Sequence, residues 1–413
     1  MFKENYLIFL KLYNRCFSIV TINDINTITV VGAGIMGHEI AQVALMGGFK
    51  TVILNDLTKN TIKKAAIKIK KGLEKLELKD KLNEGYTASN LMDNLVKEVS
   101  LEKALKRADF VIEAIPEVMI LKKELFEKLG KFAPENAILT TNTSMMSVSE
   151  IASKSGRPDK VIGCHFFTPI VVLRLIEIIK GKKTSEDTVK IVKEICKKFP
   201  ALQGKRFLPV LQNDSPGFIV NRLNAVSFLY LNWLLEYSME KGIALESLDA
   251  DAEILLKVGP FAKLDYLGLD TIFNAMNYFA GAVSPDFTPG ETITRLVNTG
   301  NLGRKTGKGL YNWEGEKLII PKKEKAGLLD IELLMATQLN EGCRLLEEGV
   351  VSGFKIIDEA MMAGMNIPGP FGPGKRYYHK WTILLEDFIK KSGISYLKPC
   401  KLMKSGDFVK MRK

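Results

Sequence analysis

Short apolar runs alternate with longer stretches of helical spacing through the first half of the chain. The β-branched run in INTITVV predicts a strand. A helix follows from about Ile35 to Met46 and is ended by Gly47-Gly48. KTVILND is a second strand that finishes at Asp56, and a lysine-rich helix covers about residues 58–81. Then come the apolar strand ADFVIEAIP, the helix VMILKKELFEKLGKFA, the strand AILTTNTS, and two more strands, VIGCHFF and VVLRLIEII. This alternation predicts an α/β domain: a parallel sheet of about eight strands with helices on both faces.

From Asp214 the texture changes. DSPGFIVNRLNAVSFLYLNWLLEYSMEKG opens a long apolar helix with Pro216 near its start. LLEYSMEKG at residues 234–242 returns as LLEEGVVSG at residues 345–353, an offset of 111. GPF at Gly259 returns at Gly369, an offset of 110. Two landmarks at nearly one spacing argue for a duplicated helical unit over chance likeness of two amphipathic helices. At 413 residues the chain is too long for one ordinary core. The expected organisation is an extension (1–25), a Rossmann-type domain (26–212), and two tandem all-α repeats (213–325 and 326–413). The extension is apolar but carries Lys3, Lys11 and Arg15, and no run approaches the ~20 residues of a membrane span. It reads as a loosely packed extension or a start assigned too far upstream, with an organellar presequence as the alternative.

Composition narrows the field. The hydrophobic fraction of 46% is that of a globular protein. The net charge of +12 (59 basic minus 47 acidic residues) fits a lysine-rich surface, or a polyanionic partner such as a nucleotide or coenzyme A. Zinc-finger spacing and RNP-type motifs are missing, which disfavours nucleic acid. The five cysteines are widely spaced without a CxxC pair, so a reducing, cytoplasmic setting without disulfides or a metal is expected.

The turn after the first strand reads Gly32-Ala33-Gly34-Ile35-Met36-Gly37. Gly32 allows the sharp turn, Gly34 lets a pyrophosphate approach the backbone, and Gly37 lets the helix pack on the strand. Phosphates then meet free N–H groups at the helix N-terminus. Asp56 stands 22 residues past Gly34, where an acid binds the ribose hydroxyls of NAD and repels the 2′-phosphate of NADP. A bare GxGxxG is weak, but strand, helix and acid in this order point to NAD. By contrast, NLGRKTGKGLYNW lacks the GxxxxGK[ST] order of a phosphate loop and reads as a basic turn.

His165 is one of three histidines, and Glu177 lies twelve positions on in a run of apolar residues. A lone carboxylate is costly to bury there without a partner. Beside a nicotinamide, a neutral imidazole suits removal of a hydroxyl proton near pH 7, and a carboxylate on its other nitrogen fixes the tautomer. The competing reading is a strand-end histidine and a glutamate that escapes to solvent at the sheet edge. Cys164 points to the opposite face from His165 on a strand, so a Cys–His pair is disfavoured.

VVGAGIMG, VIEAIPE, TNTS, HFFTP, LRLIEII, NDSPGFIVNR and GRKTGKGLYNW follow in that order. Together, over about residues 26–315, they resemble the L-3-hydroxyacyl-CoA dehydrogenase family. The resemblance implies NAD-dependent, reversible oxidation of a 3-hydroxyacyl-CoA, of short chain such as 3-hydroxybutyryl-CoA. It makes His165 the general base, Glu177 its orienting partner, and Ser144 and Asn221 hydrogen-bonding groups at the substrate oxygen. Glu117, Lys122 and Asn142 then lie along the NAD ribose and nicotinamide. The basic helix over residues 63–81 falls where the family accommodates coenzyme A phosphates. Thr168 departs from the Asn of many relatives. The doubled helical region resembles the dehydrogenase part of multifunctional β-oxidation proteins, without an expected hydratase module. An acyl-CoA partner, no nucleic acid, no membrane, and a monomer or homodimer are the accompanying expectations. Alternatives are a dehydrogenase of a free hydroxy or sugar acid, or a non-catalytic, crystallin-like NAD-binding protein; the intact Ser144, His165, Glu177 and Asn221 argue against the last.

Overall fold

The computed structural model describes residues 25–252, 258–315, 317–319 and 324–411; the N-terminal extension lies outside the described residues but for Ile25. Two compact units divide the chain, one of Met1–Thr143 with Val148–Val210, the other of Ser144–Ser147 with Leu211–Lys413.

In the first unit the elements run β1 (Thr27–Val31), α1 (Ile35–Met46), β2 (Thr51–Asn55), α2 (Lys59–Glu77), α3 (Ala88–Asp93), β3 (Leu95–Glu98), α4 (Leu101–Leu105), β4 (Phe110–Glu113), α5 (Met119–Phe132), β5 (Ile138–Thr141), α6 (Val148–Ala152), β6 (Val161–Phe166), β7 (Ile176–Lys180), α7 (Glu186–Lys198) and β8 (Val210–Leu211). The sheet has eight strands in the order β3-β2-β1-β4-β5-β6-β7-β8. β1 pairs in parallel with both β2 and β4. The strand order therefore reverses at β1, and ligands of open α/β sheets bind in the crevice outside the strand C-termini at such a point. Near-continuous burial of β1, β2, β4 and β5 follows from helices covering both faces.

The expected all-parallel sheet holds as far as β6 and fails at β7, which runs antiparallel to β6. Only residues 167–175 join the two, too few for the crossover helix that a parallel pair needs. The apolar run VVLRLIEII also enters the sheet later than its composition suggests. Val172 and Leu173 both donate their N–H groups to the Pro169 carbonyl in a turn, and β7 begins only at Ile176. The antiparallel register sets His165 directly opposite Glu177.

The second unit contains α8 (Val220–Lys241), α9 (Leu245–Asp251), α10 (Pro260–Leu267), α11 (Leu269–Ala282), α12 (Glu291–Asn298), the hairpin β9 (Asn312–Glu314) and β10 (Lys317–Ile319), α13 (Ile331–Glu347), α14 (Phe354–Met365), α15 (Phe371–Ser392) and α16 (Lys401–Ser405). One local device occurs twice in it. Asp249 on α9 accepts the Phe261 and Ala262 N–H groups at 2.9 Å each, capping α10. Asp358 on α14 accepts the Phe371 N–H at 3.0 Å, capping α15. A Cβ added to Gly259 would lie 2.1 Å from Asp249 Cγ, and one added to Gly369 would lie 2.1 Å from Asp358 Oδ1. The two GPF turns thus keep glycine for the same reason, the close approach of a capping carboxylate. The boundary expected at residue 325 falls inside this unit, because α13 packs on α8. The basic turn before β9 folds onto the same unit: Asp265 accepts the Leu310 and Tyr311 N–H groups and the Trp313 Nε1–H at 2.8–2.9 Å.

Truncation after Lys325 removes α13 to α16 and uncovers α8, whose Leu223, Tyr230 and Leu234 are buried in the full chain. Such an apolar face associates in water. Size-exclusion chromatography is expected to show the fragment as an aggregate or a higher oligomer than the full chain. A monodisperse fragment no larger in assembly than the full chain would mean that the second repeat does not cover the first.

Candidate active site

The turn after β1 separates two kinds of glycine. Gly32 has φ of +102°, and a Cβ there would lie 2.5 Å from the Ala114 carbonyl oxygen. A Cβ on Gly37 would lie 1.8 Å from the Gly32 carbonyl oxygen. The protein itself demands both. At Gly34 an added Cβ would meet nothing within 4 Å, so the protein's own packing does not require glycine there; a ligand approaching the backbone would. α1 begins without a side-chain cap or an acidic residue in its first turn, which suits an anion at its N-terminus. Beside it is a cleft of about 320 Å³ lined by Ala33, Gly34 and Ile35 and, from α2, by Asn60, Thr61, Lys64 and Lys68. Asp56 follows β2, and its Oδ2 accepts the Ala33 N–H at 2.8 Å, which anchors the acid to the turn. Open backbone, uncapped helix end and anchored acid together fit a dinucleotide.

Next to this turn, at the ends of β4 and β5, lies a buried ionic cluster. Glu113 Oε1 accepts Lys122 Nζ–H at 2.7 Å and the Ile115 N–H at 2.8 Å. Its Oε2 accepts the Thr141 hydroxyl at 2.6 Å. Burial pushes the Glu113 pKa above its ordinary value, and the hydrogen bonds from Lys122 and Thr141 pull the other way, in favour of the ionised carboxylate. Lys122 Nζ lies 3.0 Å from Glu117 Oε2, and the Thr143 hydroxyl also donates to Glu117. Burial by itself would lower the Lys122 pKa, but the carboxylates of Glu113 and Glu117 outweigh it and hold the ammonium above its ordinary value. Lys122 is only 1% exposed and is engaged by these carboxylates, so it fixes Glu117 in place. Glu113 is the residue sequence reasoning left without a role. The available signal was a lone carboxylate ending an apolar strand nine positions before a lysine.

At the C-terminal end of β6, His165 Nδ1 lies 2.7 Å from Glu177 Oε2 across the antiparallel register. Glu177 is fully buried and His165 is 5% exposed. Asn142 Oδ1 accepts the Phe166 N–H at 2.9 Å, pinning the end of β6 to the residue that follows β5. The loop beyond is tethered to α1. The Thr168 hydroxyl donates to Glu39 at 3.0 Å, and the Ile170 N–H donates to the same carboxylate at 2.6 Å. Thr168, the departure noted in the sequence, thus has Glu39 as its partner. Cys164 faces the other way and lies with its sulfur 4.0 Å from that of Cys196.

Ser144 and Asn221 come together in the second unit, where Asn221 Nδ2–H donates to the Ser144 carbonyl oxygen at 3.0 Å. The other residues singled out from the sequence, Gly32 to Gly37, Asp56, Glu117, Lys122, Asn142, His165 and Glu177, belong to the first unit.

Residues 27–208 match the 3-hydroxyacyl-CoA dehydrogenase NAD binding domain, and residues 217–313 match the C-terminal domain of 3-hydroxyacyl-CoA dehydrogenase. The mitochondrial hydroxyacyl-coenzyme A dehydrogenase of Rattus norvegicus is 35% identical over 300 residues, covering 70% of this chain and 92% of its own. A probable 3-hydroxybutyryl-CoA dehydrogenase of Bacillus subtilis is 35% identical over 295 residues, covering 70% of this chain and 98% of its own. The crystal structure of 3-hydroxybutyryl-CoA dehydrogenase from Escherichia coli superposes with a TM-score of 0.80 at 26% identity, covering 92% of this chain and 98% of that one.

Glu113→Gln leaves the buried Lys122 without its nearest anion. Breaking one side of a buried ion pair commonly costs about 3–5 kcal/mol, so the urea midpoint should fall at an unchanged slope. A loss below about 1 kcal/mol would mean that Glu117 alone satisfies the lysine.

Proposed function

The chain belongs to the 3-hydroxyacyl-CoA dehydrogenase family, whose members are NAD-dependent oxidoreductases, and from that premise we propose that it interconverts short-chain L-3-hydroxyacyl-CoA and 3-ketoacyl-CoA, with His165 as the general base. The observation that carries this reading is the 2.7 Å contact of His165 Nδ1 with the fully buried Glu177. Preference for a four-carbon acyl group is supported by the 3-hydroxybutyryl-CoA dehydrogenases among its relatives.

Bound NAD supplies the hydride acceptor, and NADH the donor in the reverse direction. Gly32, Gly34, Ile35, Met36 and Gly37 would hold its pyrophosphate, and Asp56 the adenosine ribose. Glu117, held by Lys122, and Asn142 would line the nicotinamide side. The chain's own part is proton management. Glu177 accepts Nδ1–H, which keeps the proton on that nitrogen and leaves Nε2 as the base toward the 3-hydroxyl. As the proton arrives, the adjacent carboxylate stabilises the imidazolium. The same nitrogen returns the proton to the keto oxygen on reduction. Ser144 and Asn221 have the roles of hydrogen-bonding the substrate oxygen and polarising it. The exposed lysines of α2 supply positive charge for the phosphates of coenzyme A.

The free cysteines among the described residues support a cytoplasmic setting. Among the described residues no helix is long and apolar enough to cross a membrane. The second repeat covering the first supports a monomer, or a dimer formed through another face.

With acetoacetyl-CoA and NADH, His165→Ala and Glu177→Gln should each lose ~10²–10⁴-fold in kcat while still binding NADH. Near-normal turnover of Glu177→Gln at every pH would leave the pair a structural contact only. Free acetoacetate should be a far poorer substrate; equal rates would favour a hydroxy-acid dehydrogenase.

Cofactor choice sets Asp56, anchored at the turn, against the exposed Lys64 and Lys68 of the cleft. The anchored acid should win, giving a higher kcat/KM for NADH than for NADPH, and Asp56→Ala should narrow the gap. Equal values in the unaltered enzyme would show that the lysines decide.

A further inference from the structure

Arg222 follows Asn221 in the first turn of α8 and is 5% exposed. Its guanidinium is held by carboxylates of the second repeat. Nε–H donates to Glu341 on α13, and Nη1–H and Nη2–H donate to the two oxygens of Glu348 at 2.6 Å each. Nη1–H also donates to the Ser215 hydroxyl. Glu341 is fully buried and accepts from Arg344 at 3.0 Å and from the Tyr396 hydroxyl at 2.8 Å. Burial alone would depress the Arg222 pKa, yet Glu341 and Glu348 hold it above its ordinary value.

The backbone before Arg222 is restrained and strained. The Gln212 N–H donates to the Val350 carbonyl at 3.0 Å, and Asn213 Nδ2–H to the Glu348 carbonyl at 3.4 Å. Phe218 has φ of +59°, a left-handed conformation that a bulky residue keeps only when its surroundings impose it. The Gly217 N–H reaches the Met145 carbonyl at 3.3 Å, and the Arg222 N–H returns to Gly217 at 3.0 Å. The segment that presents Asn221 to Ser144 is therefore held by the second repeat and would relax without it.

We propose that Glu341 and Glu348 are positioning residues for the dehydrogenase reaction: the second helical repeat clamps Arg222 and so fixes the neighbouring Asn221 against Ser144. The proposal rests on the role given above to Asn221 at the substrate oxygen. It assigns the duplicated repeat a part in turnover beyond covering an apolar face.

The test is steady-state kinetics of the full chain with acetoacetyl-CoA and NADH for Asn221→Ala, Glu348→Gln and the double variant, with NADH binding measured by fluorescence titration. Loss of a preorganised donor costs ~10²–10³ in kcat, so Asn221→Ala should fall about 10²-fold and Glu348→Gln, which only loosens it, about tenfold. NADH affinity should be unchanged in both. The double variant should be no slower than Asn221→Ala alone, the signature of residues acting as one unit. Glu348→Asp, which keeps the charge, should recover part of the loss. Unchanged kcat in Glu348→Gln, or losses that multiply in the double variant, would overturn the clamp while leaving the role of Asn221 standing. Normal kcat in Asn221→Ala would overturn that role and the clamp's route with it. Should Glu348→Gln not be recovered folded, Arg222→Lys, which keeps the charge but cannot make the two-pronged contact with Glu348, takes its place in the comparison.

Discussion

A carboxylate with no solvent exposure at Glu177 is the constraint around which the first unit is arranged. An isolated buried carboxylate would take up a proton rather than stay charged. The chain instead reverses direction after β6, and the antiparallel register delivers an imidazole to that carboxylate at 2.7 Å. A one-residue slip of β7 against β6 would turn Glu177 to the face opposite His165 and lose the contact. Asn142 holds one end of β6, and Glu39 holds the loop beyond it through Thr168 and Ile170. These tethers join the proton-handling pair to the same parallel strands whose C-terminal ends carry the glycine-rich turn.

The sequence was most readable where structure is local. The limits of α1 and the duties of Gly32 and Gly37 follow from residues within a few positions of one another. Spacing raised the question of His165 and Glu177, but the answer needed the direction of β7, set by the length of residues 167–175 and not by strand propensity. Glu113 was harder, because its partners Lys122 and Thr141 come from an adjacent helix and the neighbouring strand. Lys122, expected along the NAD ribose and nicotinamide, is itself buried against the carboxylates of Glu113 and Glu117. The transfer of Ser144–Ser147 to the second unit had no local signal at all, since it arises from contacts with residues far along the chain such as Asp214 and Asn221.

The helical unit shows how a duplicated segment can become more than a copy. Both repeats keep the Asp–GPF cap, so the local folding problem is solved twice by the same chemistry. Their faces differ in what they hold. The first repeat contributes the buried Arg222, and the second answers with Glu341 and Glu348. Without Glu341 and Glu348 the buried Arg222 guanidinium would be left unpaired by any carboxylate at low exposure. That complementarity ties the later repeat to the segment bearing Asn221 and explains why the two form one compact unit.

Proton removal by His165 turns on which of its two nitrogens already bears a proton. With only His38, His165 and His379 in the chain, ¹⁵N-labelled histidine gives three imidazole signals, and a His165→Ala sample assigns the one of interest. Long-range ¹H–¹⁵N spectra at neutral pH should show His165 protonated at Nδ1, donating to Glu177, and bare at Nε2. A proton resident on Nε2, with Nδ1 bare beside Glu177, would contradict the claim that the buried carboxylate holds the histidine ready as a base.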